Sequence, residues 1–316
     1  MFKTAFIFPG QGAQYVGMGL DFLEQDPKLE RTLTEFDSKN NTELGKIIKD
    51  GPEEILKETK FTQPAILFHS IAALKAFQEK SKLKPDYVAG HSLGEFTALV
   101  ASGVLDLADA MHLVHKRGEF MIKANEGKSY AMAAIIGLTS QQVREICKEA
   151  SKKDVVIAAN FNTPVQTVIS GSEPGVKTAC KLAKSAGAKR IVPLVVGGAF
   201  HSPQIERAKI WLAEEMNKIH FSYTGIPIVS NVDAKPVTET EKIKNNLADQ
   251  VISPVLWVDS INNLINLGVK LFLEFGPKKV LAGMLRKIDK GINVLSLEKL
   301  SELEEVISEV EKLNEA

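Results

Sequence analysis

Apolar positions along this 316-residue chain switch repeatedly between strand-like runs and helical spacing. Residues 2–8 are mostly apolar and stop at Pro9-Gly10, which predicts a short, buried first strand. Helical spacing then dominates through Gln78. The turn Lys84-Pro85-Asp86 introduces a second strand-like run at 87–89, and Leu93, Phe96, Leu99 and Val100 return to helical spacing until Gly103. A further helix over 107–124 lines up Ala110, Met111, Val114, Gly118 and Met121 on one stripe. Such alternation predicts a parallel sheet with helices on its faces.

From about Lys128 the order changes. Strand patterns at 130–136, 155–159, 166–170 and 191–196 interleave with helix patterns at 140–150 and 175–185. The order β-α-β-β-α-β is that of a ferredoxin-like split motif, a unit able to form its own small lobe. The expectation is therefore a small lobe over 128–196, inserted in a larger one made of 1–127 and 197–316, with later strands at 226–229 and 269–275. A cleft between such lobes is a natural binding site, so residues near the two crossings carry weight.

Composition narrows the class. Apolar residues are 44% and charged residues 25% of the chain, ordinary values that disfavour disordered, collagen-like and membrane classes. No apolar run is long enough to span a bilayer, and the N-terminal run meets Pro9-Gly10 too soon for a secretory signal. Lys plus Arg and Asp plus Glu both number 39, so no global charge points to nucleic acid or an acidic membrane. The two cysteines, Cys147 and Cys180, lie in helical patterns without a ligand cluster, which predicts inert thiols and a reducing, cytoplasmic setting.

Candidate chemistry centres on Gly90-His91-Ser92-Leu93-Gly94, a Gly-x-Ser-x-Gly pentapeptide between the second strand and a helix. A lone match of this kind can be a glycine-rich turn. Strand, pentapeptide and helix in that order instead suggest a strained elbow with the Ser92 hydroxyl at its tip and free helix N–H groups beside it. Ser92 needs a base. His69 sits among helical residues, and His220 lies in a polar stretch. His112 and His115, at i and i+3, could share a metal but show no third ligand. His91 precedes the serine and is expected to point away from its hydroxyl, in a supporting role at most. His201, in Gly197-Gly198-Ala199-Phe200-His201-Ser202-Pro203 after a strand at the lobe crossing, is the best candidate; a plain loop histidine is the alternative. No orienting carboxylate declares itself, and a backbone carbonyl could take that place. Pro9-Gly10-Gln11-Gly12-Ala13-Gln14 offers further N–H donors for an oxyanion, although a simple strand-to-helix loop reads equally well. It lacks the spacing of a nucleotide-phosphate loop. Arg117 lies beside the apolar stripe of its helix, as a snorkelling surface residue would. If it faces a cleft, a bidentate grip on a substrate carboxylate is its natural chemistry.

Taken together, Gly10-Gln11-Gly12-Ala13-Gln14, Gly90-His91-Ser92-Leu93-Gly94-Glu95, Arg117-Gly118, Asn162-Thr163-Pro164, Gly198-Ala199-Phe200-His201-Ser202, Ser230-Asn231-Val232, Gln250 and Glu274-Phe275-Gly276-Pro277 resemble the malonyl-CoA:acyl carrier protein transacylases of bacterial type II fatty-acid synthesis. The resemblance runs from Phe6 to about Leu285. It implies an α/β fold, an α/β-hydrolase-like large lobe carrying the ferredoxin-like small lobe. It also implies that Ser92 is acylated, His201 is its base, and Arg117 binds the malonyl carboxylate. The Leu93 and Gln11 N–H groups would form the oxyanion hole, Gln250 would offer its backbone carbonyl to His201, and His91 and Asn162 would support the site. No metal or cofactor is implied beyond the substrates, malonyl-CoA and phosphopantetheinylated acyl carrier protein, and the enzyme would work as a monomer. Phe200 resembles the malonyl-selective members. Phe96 stands where tyrosine is frequent, and Ile122 where glutamine is common. An acidic carrier would want a basic patch, either Lys181, Lys184, Lys189 and Arg190 or Lys278, Lys279, Arg286 and Lys287.

Three other readings share the elbow. A serine esterase or thioesterase would carry its histidine near the chain end. A patatin-like hydrolase would want Asp-Gly, for which Asp233-Ala234 is a poor substitute. A carrier-protein scaffold without catalysis would not need both Ser92 and His201.

Overall fold

The computed structural model describes residues 2–315. Its strands, in chain order, are β1 (Lys3–Phe8), β2 (Tyr87–Gly90), β3 (Ala131–Ile136), β4 (Val156–Thr163), β5 (Gln166–Gly171), β6 (Arg190–Leu194), β7 (Ile228–Val229), β8 (Pro236–Val237), β9 (Val269–Phe275) and β10 (Asn293–Leu297). They form two sheets. One has the order β10-β9-β1-β2-β7-β8 and the other β4-β5-β3-β6.

The six-stranded sheet is parallel except for β8, which turns back along β7. β1 lies at its centre, is buried from Thr4 to Phe8 and apolar from Ala5, because helices cover both faces. On one face Phe6, Phe77 and Phe275 pack edge-on, with Phe6 and Phe275 ring centroids 5.0 Å apart. On the other, Ala5, Ile7 and Phe272 meet Trp257, Ile261 and Leu285. The helix Thr59–Lys80, buried from Thr62 to Leu74, packs against the helix Leu107–Lys123, which fixes the latter's inward face.

The four-stranded sheet is antiparallel throughout, and the helices Ser140–Ala150 and Glu173–Ser185 pack on one side of it. Its order is the ferredoxin-like one predicted from the element sequence. The other face turns toward the parallel sheet and joins its core through Met132, Ala134, Ala159 and Val168.

Element bounds differ from the sequence reading in ways that have physical causes. β4 runs to Thr163 rather than ending near 159. Two bulges shift its register, and a backbone bridge from Asn160 to Val255 of the parallel-sheet side carries the strand on past 159. β6 stops at Leu194, and β7 begins only at Ile228. The helix expected from Gly175 starts at Glu173, since Ser172 caps it and Pro174 occupies its first turn. Among the described residues no helix is long and apolar enough to cross a membrane.

Candidate active site

The Gly-x-Ser-x-Gly segment makes a turn with almost no room. A Cβ on Gly90 would lie 1.8 Å from the Gly94 carbonyl carbon, and one on Gly94 would lie 2.1 Å from the Phe8 oxygen. Ser92 between them has φ 52°, a left-handed conformation that costs a serine roughly 1 kcal/mol or more. Asn231 stabilises it, accepting from the Ser92 N–H through Oδ1 (2.7 Å) and donating from Nδ2 to the Gly90 carbonyl (2.7 Å). The helix Gly94–Ala101 begins immediately after and leaves the hydroxyl projecting from the tip.

His201 reaches that hydroxyl from the segment after β6, with its Nε2 2.7 Å from Ser92 Oγ. Its Nδ1 lies 2.8 Å from the Gln250 carbonyl, which can only accept. The proton therefore resides on Nδ1 and leaves Nε2 free to accept from the serine. Burial, and then the nearby Arg117 charge, push the imidazole down to about 3, so it is neutral across the ordinary pH range. Asn125 holds the approach to His201, accepting from the Ala199 N–H (3.0 Å) and donating to the Met121 carbonyl (2.7 Å). His201 too has a positive φ, 57°.

Arg117 is buried, not snorkelling, at 1% exposure. Its Nη1 donates to Gln63 Oε1 (2.8 Å), and its Nη2 to Gln250 Oε1 (2.9 Å) and Ser92 Oγ (3.0 Å). Its Nε has no partner, and no carboxylate lies within ion-pair distance among the described residues. Phe96 packs beneath the guanidinium, 5.6 Å from ring centroid to Cζ, in place of a hydroxyl-bearing ring. Burial lowers the guanidinium to about 10, against an opposing pull from Glu95, and it stays cationic at neutral pH. Glu95 is buried as well. Desolvation raises its carboxyl to about 7, opposed by hydrogen bonds from Gln250 Nε2 (2.7 Å) and the Asn231 N–H (3.2 Å).

A cleft opens over these groups. Gly10, Gln11, Ser92, Leu93, Arg117, Met121 and Phe200 line it on the parallel-sheet side, and Met132, Asn160, Asn162, Val168 and Leu194 on the antiparallel-sheet side. The loop after β1 presses on the elbow, where a Cβ on Gly10 would sit 2.6 Å from the His91 oxygen. That contact puts Gln11 and Leu93 on the same wall, and their amide N–H groups donate to no carbonyl among the described residues. Two free N–H groups beside a serine–histidine pair suit an oxyanion. His91 turns from the hydroxyl as expected. Its Nε2 bonds Asn162 Oδ1 (2.8 Å), its ring meets Trp257 edge-on, and the bond spans the two sheets.

The remaining histidines lie elsewhere. His112 bonds Asn40 and Glu215, His115 bonds the Lys60 carbonyl and lies 3.3 Å from Glu119, and His220 is exposed. His69 is buried in its helix. No group of three or more metal-ligating side chains occurs among the described residues. Ile122 packs against Gly197 outside the cleft, while its neighbour Met121 faces in. Of the basic residues, Lys181, Lys184, Lys189, Arg190, Arg286 and Lys287 are exposed; Lys279 pairs with Glu302 (2.6 Å), and Lys278 donates to the Gln14 carbonyl (2.9 Å).

The sequence reading gave no role to Glu95, Gln63 or Asn125. Glu95 stood inside the motif, but in the first turn of a helix nothing in the sequence marked it as buried. Gln63, polar within an apolar helix run, was the only hint of an Arg117 partner on that helix.

The match to known proteins extends over nearly the whole chain. The model of the acyl transferase domain matches residues 5–299. The malonyl CoA-acyl carrier protein transacylase of Bacillus subtilis is 42% identical over 316 residues, 100% of this chain and 99% of the relative. The structure of the malonyl CoA-acyl carrier protein transacylase from Coxiella burnetii superposes with a TM-score of 0.93 at 36% identity, covering 99% of this chain and 98% of that one. A malonyl-transacylase solved in complex with its type II PKS acyl-carrier protein gives the same TM-score and identity over 97% of this chain and 99% of that one. With matches of this breadth, the chain belongs to the acyl transferase family, among the malonyl CoA-acyl carrier protein transacylases.

Proposed function

We propose that this enzyme moves a malonyl group from coenzyme A to the phosphopantetheine thiol of acyl carrier protein through a malonyl ester on Ser92, supplying fatty-acid chain elongation. One observation carries the reading. A wholly buried guanidinium with an unpartnered Nε–H and no paired carboxylate stands directly beside the nucleophile. An acyl group with its own carboxylate fills that vacancy in charge; an acetyl group does not.

In the first half-reaction, Ser92 Oγ attacks the thioester carbonyl as its proton passes to His201 Nε2. The Gln250 carbonyl, already bonded to Nδ1–H, steadies the imidazolium. The Leu93 and Gln11 N–H groups receive the tetrahedral oxyanion, each worth about 3 kcal/mol. Collapse breaks the C–S bond, and His201 returns the proton to the leaving coenzyme A thiolate. The carrier's thiol then gives its proton to His201 and attacks the ester carbonyl, and the proton returns to Ser92 Oγ as the ester C–O bond breaks. A single chain supplies every group, in keeping with a monomer. The relative solved with an acyl-carrier protein supports the acceptor. Two free thiols, Cys147 and Cys180, suit a reducing, cytoplasmic setting.

Mass spectrometry after mixing with malonyl-CoA is expected to show one malonyl adduct, absent in Ser92→Ala and discharged by holo acyl carrier protein. Discharge by water alone would make the protein a hydrolase. Absence of any adduct would leave a scaffold.

A further inference from the structure

We infer that Glu95 is a positioning residue for substrate choice, fixing the Gln250 side-chain amide so that it holds Arg117 toward the acyl carboxylate. The inference rests on Arg117 gripping that carboxylate. Glu95 itself is 2% exposed and lines no part of the cleft, so it touches no substrate.

The chemistry of the Gln250 contacts dictates a single amide orientation. Nε2 faces two acceptors, Glu95 Oε2 at 2.7 Å and the Ser92 carbonyl at 2.9 Å. Oε1 faces Arg117 Nη2 at 2.9 Å, which can only donate. Glu95 Oε2 also accepts from the Asn231 N–H at 3.2 Å, so one carboxylate oxygen ties down the residue beneath Arg117 and the residue beneath Ser92. Without that acceptor, Gln250 keeps only the Ser92 carbonyl at its amino end and can swing away from Arg117. A buried amide with an unmet donor also seeks another partner. The elbow is protected from the same loss, because the Ser92 carbonyl still accepts from the Glu95 backbone N–H at 3.1 Å. The His201 ring is protected too, since it depends on the Gln250 backbone and not its side chain. The effect therefore falls on the acyl group that uses Arg117.

The test compares malonyl-CoA and acetyl-CoA as donors for Ser92 acylation in Glu95→Met, which keeps volume without an acceptor, and Glu95→Gln, which keeps an accepting oxygen. Glu95→Met is expected to raise KM for malonyl-CoA about tenfold or more with kcat changed far less, and to leave acetyl transfer nearly alone. Glu95→Gln is expected to restore the malonyl-to-acetyl ratio. Equal losses for both donors, an unchanged ratio in Glu95→Met, or a Glu95→Gln as impaired as Glu95→Met would each overturn the inference. Should Glu95→Met not fold, Gln250→Met keeps the backbone carbonyl for His201 and removes only the amide; it must show the same malonyl-selective KM rise, and a uniform loss refutes the relay. Wild-type protein that takes no malonyl from malonyl-CoA would sink the proposed function instead, so the two failures are distinguishable.

Discussion

Arg117 is held by four contacts, to Gln63, Gln250, Ser92 and Phe96, which a lysine cannot make together. Its planar fork donates to Gln63 and Gln250 at once, lies over Phe96 and leaves Nε free for a ligand. A lysine ammonium is a point charge on a flexible stem and cannot offer two parallel donors to a carboxylate. Arg117→Lys is thus expected to lower kcat/KM for malonyl transfer about 100-fold, some 3 kcal/mol, while acetyl transfer changes less than about threefold. Steady-state rates with the two coenzyme A thioesters check this, and parallel losses would remove Arg117 from acyl selection. The residue's importance was only half legible. Its helical angle puts it beside an apolar stripe, where a long cation ordinarily snorkels; whether the neighbouring helix or solvent lies there is decided by tertiary packing, which no local pattern records. Ser92 and His201 were easier to find because glycine spacing and a loop at a lobe crossing are local signals. Glu95 was hidden for the opposite reason, since a carboxylate in the first turn of a helix has an ordinary explanation in the helix dipole.

At the scale of elements, the elbow depends on backbone approaching backbone. A Cβ on Gly94 would meet the Phe8 oxygen at 2.1 Å and carbon at 2.8 Å, both main-chain atoms of the central strand β1 that cannot yield without moving the sheet. Gly103 is a useful contrast. It has φ 78° yet nothing within 4 Å of its Cβ position, so only conformational strain opposes a side chain there. Gly94→Ala is expected to cost about 3 kcal/mol or more, and Gly103→Ala about 1 kcal/mol. Urea unfolding of both variants checks the ratio; similar small costs would mean that the elbow has slack. Long or strongly periodic elements were readable, including β1, β9, the helix over Leu107–Lys123 and the whole order of the antiparallel sheet. β8, only two residues long, carries no pattern at all, and β10 (Asn293–Leu297) is five residues long with Val294, Leu295 and Leu297 out of strict alternation. The far half of β4 was missed because Asn160 and Asn162 break apolar alternation; Asn162 bonds His91 across the two sheets, information that resides in the fold.

For the whole molecule, buried ionisable groups pull stability in opposite directions as pH falls. His69 is 1% exposed, neither ring nitrogen has a hydrogen-bond partner among the described residues, and desolvation lowers its pKa to about 4. An unfolded chain would bind that proton near pH 6.5, so the unfolded state gains protons first. Stability from keeping His69 neutral is complete above about pH 6.5 and is lost progressively toward pH 4, about 1.4 kcal/mol per pH unit. His201, lowered to about 3, acts in the same sense. Glu95 does the reverse. Its folded pKa of about 7 exceeds the unfolded one, so its contribution is fully present below about pH 4.5 and lost as pH rises through 7. Because these slopes overlap with those of other groups, the decisive quantity is a difference between two proteins. Substituting His69→Leu removes one proton from the balance and leaves the cleft untouched, since His69 lies on the far side of its helix against Phe22 and Gly19. Urea unfolding free energies measured from pH 7 to pH 4 are expected to fall about 3 kcal/mol less in His69→Leu than in the parent, whatever the variant's stability at pH 7. Parallel curves would mean that His69 protonates in the folded state as readily as in the unfolded one.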